Sequence, residues 1–143
     1  MLKTILRLWR CEQGAALVEF TLVLPILILL TAGVVQFGYM FFVQNTMQNM
    51  AREAARGIAV GELSATGSDT TCPGGAAGSA EEHVCDGLSG LNGTFTVNAV
   101  DPPDPGDDVV VTVSLPMEDA TVMDPFNMMG NGTISTEATM RKE

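Results

Sequence analysis

Apolar residues run almost unbroken from Phe20 to Val43, and no charged side chain appears between Phe20 and Ala51. The 24 residues from Phe20 to Val43 would rise roughly 36 Å as a helix, slightly more than the ~30 Å hydrocarbon core of a bilayer. The block therefore predicts a membrane-spanning helix with some tilt or a kink. Pro25 is the expected kink, since it removes one backbone donor and frees the carbonyl one turn earlier; the hydroxyl of Thr21 or Thr31 is the expected partner for that carbonyl. Gly33 and Gly38, with Ala32, make notches where a second helix can approach closely, although their spacing of five is not that of a GxxxG pair.

Beyond Val43 the pattern becomes one-sided. Met47, Met50, Ala51, Ala54 and Ile58 recur at intervals of three and four, so the helix is predicted to continue with one stripe packed on a soluble domain, and Gly57 or Gly61 supplies its stop. Arg52 and Arg56 share a neighbouring face, and Glu53 and Arg56 form an i,i+3 pair. From 61 to 93 periodicity is lost and 8 of the 15 glycines accumulate, which predicts a long Gly/Ser-rich loop. After Gly93 the period is two: Phe95, Val97 and Ala99, then Val109, Val111, Val113 and Leu115, then Ile134, Thr136, Ala138 and Met140 alternate with mostly polar neighbours. Three half-buried strands follow, the first two joined by the Pro-, Gly- and Asp-rich segment 101–108. The expected class is α+β: a long N-terminal helix packed on a small antiparallel sheet of three to four strands.

Charge adds direction to this outline. Lys3, Arg7 and Arg10 precede the helix, whereas 16 of the 17 acids lie beyond Gly14 and only Arg52, Arg56, Arg141 and Lys142 oppose them, a net of 4 minus 16, or −12. Basic residues ahead of a first span stay in the cytoplasm, so the acidic remainder is expected to face the periplasm or the exterior. Such a charge makes nucleic acid an improbable partner. The apolar run is far longer than the 7 to 15 residues of a secretory signal peptide, and the bulky Leu8-Trp9-Arg10 ahead of Cys11 does not suit a lipoprotein signal.

Glu19 breaks the apolar pattern at its mouth. A carboxylate near a spanning segment costs energy, about 2.5–3.5 kcal/mol at the helix centre and less toward the ends, and is read as functional by default. It stands at the fifth residue after Gly14, with Phe20 at the sixth, behind a short basic leader. That arrangement resembles the processing site of type IV pilins and pseudopilins, which implies cleavage by a prepilin peptidase after Gly14 and a mature N-terminus at Ala15. The wider segment, from Gly14 through Leu17-Val18-Glu19-Phe20, Leu24-Pro25, Gly33 and Phe37-Gly38 to Ala51-Arg52-Glu53-Ala54-Ala55-Arg56, resembles the TadE-like family of tight-adherence (Tad/Flp) pilus proteins over residues 14–56. Related major pilins tend to carry Tyr where this chain has Phe20, which favours an accessory pseudopilin.

The resemblance implies a pilin-like architecture divided into a leader (1–14), a transmembrane and extended helix (15–60), the loop (61–93) and the exported sheet (94–143). It implies a bacterial inner-membrane protein, single-pass, with its N-terminus in the cytoplasm, that acts in assembly or initiation of a Tad-type pilus without catalysis or a cofactor. Expected partners are the prepilin peptidase, other pilins or pseudopilins, the Tad machinery and the bilayer. Glu19 would pair with the freed amine of a neighbouring subunit, and Arg52 and Arg56 are candidate partner contacts. The alternatives are an uncleaved anchor presenting a small periplasmic binding domain, and a pilus-tip adhesin.

The remaining candidates lie in the exported part. Cys72 and Cys85 are expected to form a disulfide in an oxidising compartment, leaving Cys11 in the leader as the odd thiol. A metal reading of Cys72, His83 and Cys85 with nearby acids fails on spacing, as neither a C-x₂₋₄-C nor an H-x₃₋₅-H pair is present. One histidine and no nucleophile elbow or phosphate loop argue against an enzyme. The aspartates of 101–108 lack the order of a calcium loop, so a solvated turn is expected. Asn92-Gly93 and Asn131-Gly132 suit turns that open strands, and the Met-rich segment 117–129 is expected to cover the sheet edge or to make a soft contact surface.

Overall fold

Helix α1 spans Glu12–Ala59 in the computed structural model, which describes residues 12–120 and 132–142, with backbone alone for Glu12, Gln13 and Ala15. Residues 1–11 of the basic leader, with Cys11, and Met123, Phe126, Met128, Met129 and Asn131 lie outside the described residues. The chain divides into two compact units, residues 1–37 and 38–143, and α1 contributes to both.

In the first unit the large apolar side chains of α1 other than Leu24 are exposed, from 52% at Leu27 to 70% at Leu22. The helix is long and apolar enough to cross a membrane, and a helix apolar all round belongs in lipid when no protein covers it. Pro25 is inside it. The expected use of the threonine hydroxyls is not what the structure has: Thr21 Oγ1 donates to Leu17 O at 2.7 Å, and Thr31 Oγ1 to Leu27 O and Ile28 O at 2.9 Å. Each hydroxyl bonds back to the preceding turn of its own helix, the nearest acceptor in reach, rather than to the Thr21 carbonyl that Pro25 frees.

In the second unit α1 acquires a buried stripe. Met47, Ala51, Ala54 and Ile58 are buried as expected, joined by Val43, Ala55 and Ala59, with Met50 partly buried beside them. The stop is Gly61. It has a φ of +76°, its N–H donates to Ile58 O at 2.9 Å, and Glu62 N donates to Gly57 O at 2.8 Å. These are the two bonds of a Schellman cap, for which glycine is the residue without a steric penalty. Gly57 stays helical, and there a Cβ would come within 2.5 Å of Leu63 Cδ1.

Segment 61–93 is more ordered than a loop. It holds strand β1 (Thr70–Thr71) and helix α2 (Ala80–Leu88). Ser79 caps α2, its Oγ accepting from Glu82 N at 3.1 Å, while the Glu82 carboxylate accepts from Gly78 N at 2.7 Å. This is a capping box displaced by one residue on its return bond. The nine residues of α2 are too few for a 3.6-residue period to stand out among so many glycines; Val84, Cys85 and Leu88 bury its inner face. A side chain at Gly87 would run into Met50, so this glycine lets α2 approach α1 closely.

The sheet is a four-stranded antiparallel meander in the order β1-β2-β3-β4, with β2 at Thr96–Val100, β3 at Asp108–Pro116 and β4 at Thr133–Arg141. The three long strands fall within a residue or two of the alternating stretches. Val97, Ala99, Val109, Val111, Val113 and Leu115 are fully buried on one face, and they share one core with the α1 stripe, α2 and Phe95. Each Val or Leu so buried contributes about 1.5–3 kcal/mol of apolar transfer.

Candidate functional site

Gly14 lies in the first turn of the described helix, and a Cβ there would meet nothing within 4 Å. The backbone at Ala15 is helical, and Glu19 and Phe20 are both exposed. Glu19 forms no ion pair among the described residues. Its carboxylate therefore has no ion-pair partner among the described residues on a helix apolar enough to cross a membrane, where a lone carboxylate is costly. Gly33 and Gly38 are likewise open, with nothing within 4 Å of an added Cβ.

Arg52 and Arg56 are exposed, one turn apart on the polar side of α1. The other two bases of the acidic remainder are already engaged. Lys142 Nζ lies 2.7 Å from Asp101 Oδ1 and donates to Pro102 O at 2.8 Å, and Arg141 Nε donates to Gly106 O at 2.9 Å. Those contacts close the 101–108 connection as a turn tied by the C-terminal residues. Neither Arg52 nor Arg56 has an ion pair among the described residues. Arg56 instead borders a surface cavity of about 350 Å³ together with Glu53, Gly57, Val60, Glu62, Leu63 and His83. His83 Nε2 is 3.5 Å from Glu53 Oε1 across its mouth, a long and solvated contact worth little to stability.

Cys72 and Cys85 are joined in a disulfide with their Cα atoms 5.3 Å apart. It ties the segment just after β1 to α2, and with both sulfurs bonded to each other neither is a thiolate ligand. One group escaped sequence reasoning. Glu81 is fully buried, and its Oε1 accepts from Thr66 N at 2.9 Å and from Thr66 Oγ1 at 2.7 Å. With the Ala80 N to Ser64 O bond at 2.8 Å, this carboxylate clasps residues 64–66 against the start of α2. The Ser79-Ala80-Glu81-Glu82 box would have located the helix; nothing in the sequence says which of its two glutamates faces inward. Met117, the first residue of the Met-rich segment, is partly buried against the core and its N–H donates to Gly132 O at 2.8 Å.

The site so described has two separate parts: a carboxylate-bearing apolar helix, and an arginine pair on the packed half of that helix. Neither a curated protein nor a solved structure matches the chain. The family model described as TadE-like protein does match, at residues 14–56, which takes in both parts and ends on the second arginine; over this segment the chain is similar to the TadE-like family.

Proposed function

We propose that the chain is a minor pseudopilin-like membrane protein that serves assembly or initiation of a Tad-type pilus and acts by contacts, with no catalysis of its own. The observation that carries this reading is the carboxylate of Glu19, exposed and without an ion pair among the described residues on an apolar helix, five residues after Gly14 within a segment similar to the TadE-like family. Cleavage after Gly14 by a prepilin peptidase would free the amine of Ala15. On a neighbouring copy or pilin, Glu19 then meets a cation, and two groups that are each costly in lipid become one compensated pair. The basic leader argues for a cytoplasmic N-terminus and an exported sheet domain. The Cys72–Cys85 bond fits an oxidising compartment. Arg52 and Arg56, two exposed cations without an ion pair among the described residues of an acidic domain, suit contacts with an acidic surface of another pilus component.

The test is the N-terminal sequence of the membrane-extracted protein, in cells with and without the peptidase, read beside the amount of assembled pilus. The expected wild-type N-terminus is Ala15. Gly14→Val should leave the uncut chain in the membrane, because insertion depends on the apolar run alone. Glu19→Val should be cut and inserted yet fail to support piliation. A wild-type chain that keeps its leader beside an active peptidase, or normal piliation with both variants, would overturn the reading in favour of a plain anchor.

A further inference from the structure

The two edges of the sheet are built differently. At one edge β1 has only two residues and runs straight into Cys72, which is bonded to Cys85 on α2. At the other edge β4 has nine residues, Thr133–Arg141, with no proline, and no described residue pairs with its outer side. Long unpaired edges of this kind are templates for another strand, and proteins ordinarily shorten, cover or break them.

The direction of the free hydrogen-bonding groups can be read from the ladder. Just beyond its two ends, Met117 N donates to Gly132 O at 2.8 Å and Lys142 N donates to Asp107 O at 2.9 Å. The β3–β4 register is continuous between them, from Pro116↔Thr133 to Asp108↔Arg141. Because donors alternate along an antiparallel ladder, the even-numbered residues of β4 exchange bonds with β3. The odd-numbered ones, Thr133, Ser135, Glu137, Thr139 and Arg141, direct N–H and C=O outward. A second β4 running antiparallel must therefore place odd residues opposite odd residues.

Charge then selects among the registers. Centring the two strands on Glu137 sets two carboxylates face to face, which is destabilising. Centring them on Ala138 puts Glu137 opposite Thr139 and leaves both charges without a directly facing partner. Centring them on Thr139 puts Glu137 opposite Arg141 of the second copy, twice by symmetry, and lays the half-exposed Met140 over Ala138 on the core-side face. We propose that β4 is a self-association edge, on which two copies of this chain pair antiparallel about Thr139 to continue the sheet from one subunit into the next.

This inference does not rest on the pilus reading, and its test is scored in cells lacking a prepilin peptidase as well as in cells that have one. Single cysteines are placed at Ser135, Glu137 and Thr139 in the full chain carrying Cys11→Ser, and membranes are treated with a mild oxidant. Hydrogen-bonded antiparallel pairs have Cα atoms about 5.5 Å apart, within disulfide reach. Thr139→Cys should give a disulfide-linked homodimer as the dominant product, with Ser135→Cys and Glu137→Cys far behind. In the Thr139→Cys chain, Glu137→Lys should lower the dimer yield about tenfold by setting like charges opposite each other, and adding Arg141→Glu should restore it. No homodimer at Thr139, a stronger one at Glu137, cross-linking to a different protein instead, or indifference to Glu137→Lys would each overturn the proposal. Thr139→Pro guards against a general folding defect. Its missing N–H points away from β3, so the β3–β4 ladder should survive while the association of the chain, followed by sedimentation in detergent, is lost.

Discussion

The two halves of helix α1 obey opposite rules although they share one backbone. From Leu17 to Phe37 every large apolar side chain but Leu24 is more than half exposed, while from Val43 to Ala59 the buried positions form one stripe of small and flexible residues, Ala51, Ala54 and Ala55 with Met47. The first half has no inner face because its solvent is meant to be apolar; its sequence needs only to stay apolar, and Leu, Ile and Val serve interchangeably. The second half packs on protein in water, where close approach decides the residue. Three alanines keep the buried stripe narrow, Gly87 on α2 leaves room for Met50, and Met47 is fully buried in the shared core. The same polymer is specified loosely by a medium in one half and tightly by neighbours in the other.

The largest test of this contrast compares truncations on either side of it. Met47→Ala should lower the unfolding free energy of the sheet domain by about 2–5 kcal/mol, as expected of a buried methionine, whereas Leu29→Ala should leave it unchanged. Hydrogen exchange of the β3 amides in detergent-solubilised protein reads both, and equal effects would show that the halves are not distinct. Next comes the disulfide. Replacing Cys72 and Cys85 by serine should cost about 3 kcal/mol through the longer reach of the unfolded chain, seen as faster protease cleavage between residues 61 and 93, with membrane insertion unaltered. Smallest is the cap of α2: Ser79→Ala removes the acceptor of Glu82 N and should cost about 1 kcal/mol. Exchange of the α2 amides should speed up accordingly, and those of β4 much less.

Both halves of α1 and all three long strands can be read along the chain, since each is a run of side chains whose period or apolarity is local information. Gly14, Glu19 and the two arginines are legible for the same reason: charge and glycine stand out against an apolar or alternating background. What resisted reading is of another kind. Helix α2 is short and glycine-flanked, and it exists because Ser79 caps it and because α1 and the sheet offer Val84, Cys85 and Leu88 a place to bury. Strand β1 has two residues and no signature; its pairing of Thr70 with Val97 forms only once β2 is in place.

The sequence by itself determined that this chain has one long helix fit for a bilayer, an acidic antiparallel domain behind it, and a carboxylate at the mouth of the apolar run, because composition and period act on each residue through its immediate medium. Only the tertiary structure decided that Gly61 and not Gly57 ends the helix, that Glu81 turns inward to Thr66, and that one sheet edge is short and tethered while no described residue pairs with the other. Those outcomes depend on which surfaces face each other after collapse, and residues far apart along the chain carry no local trace of that choice.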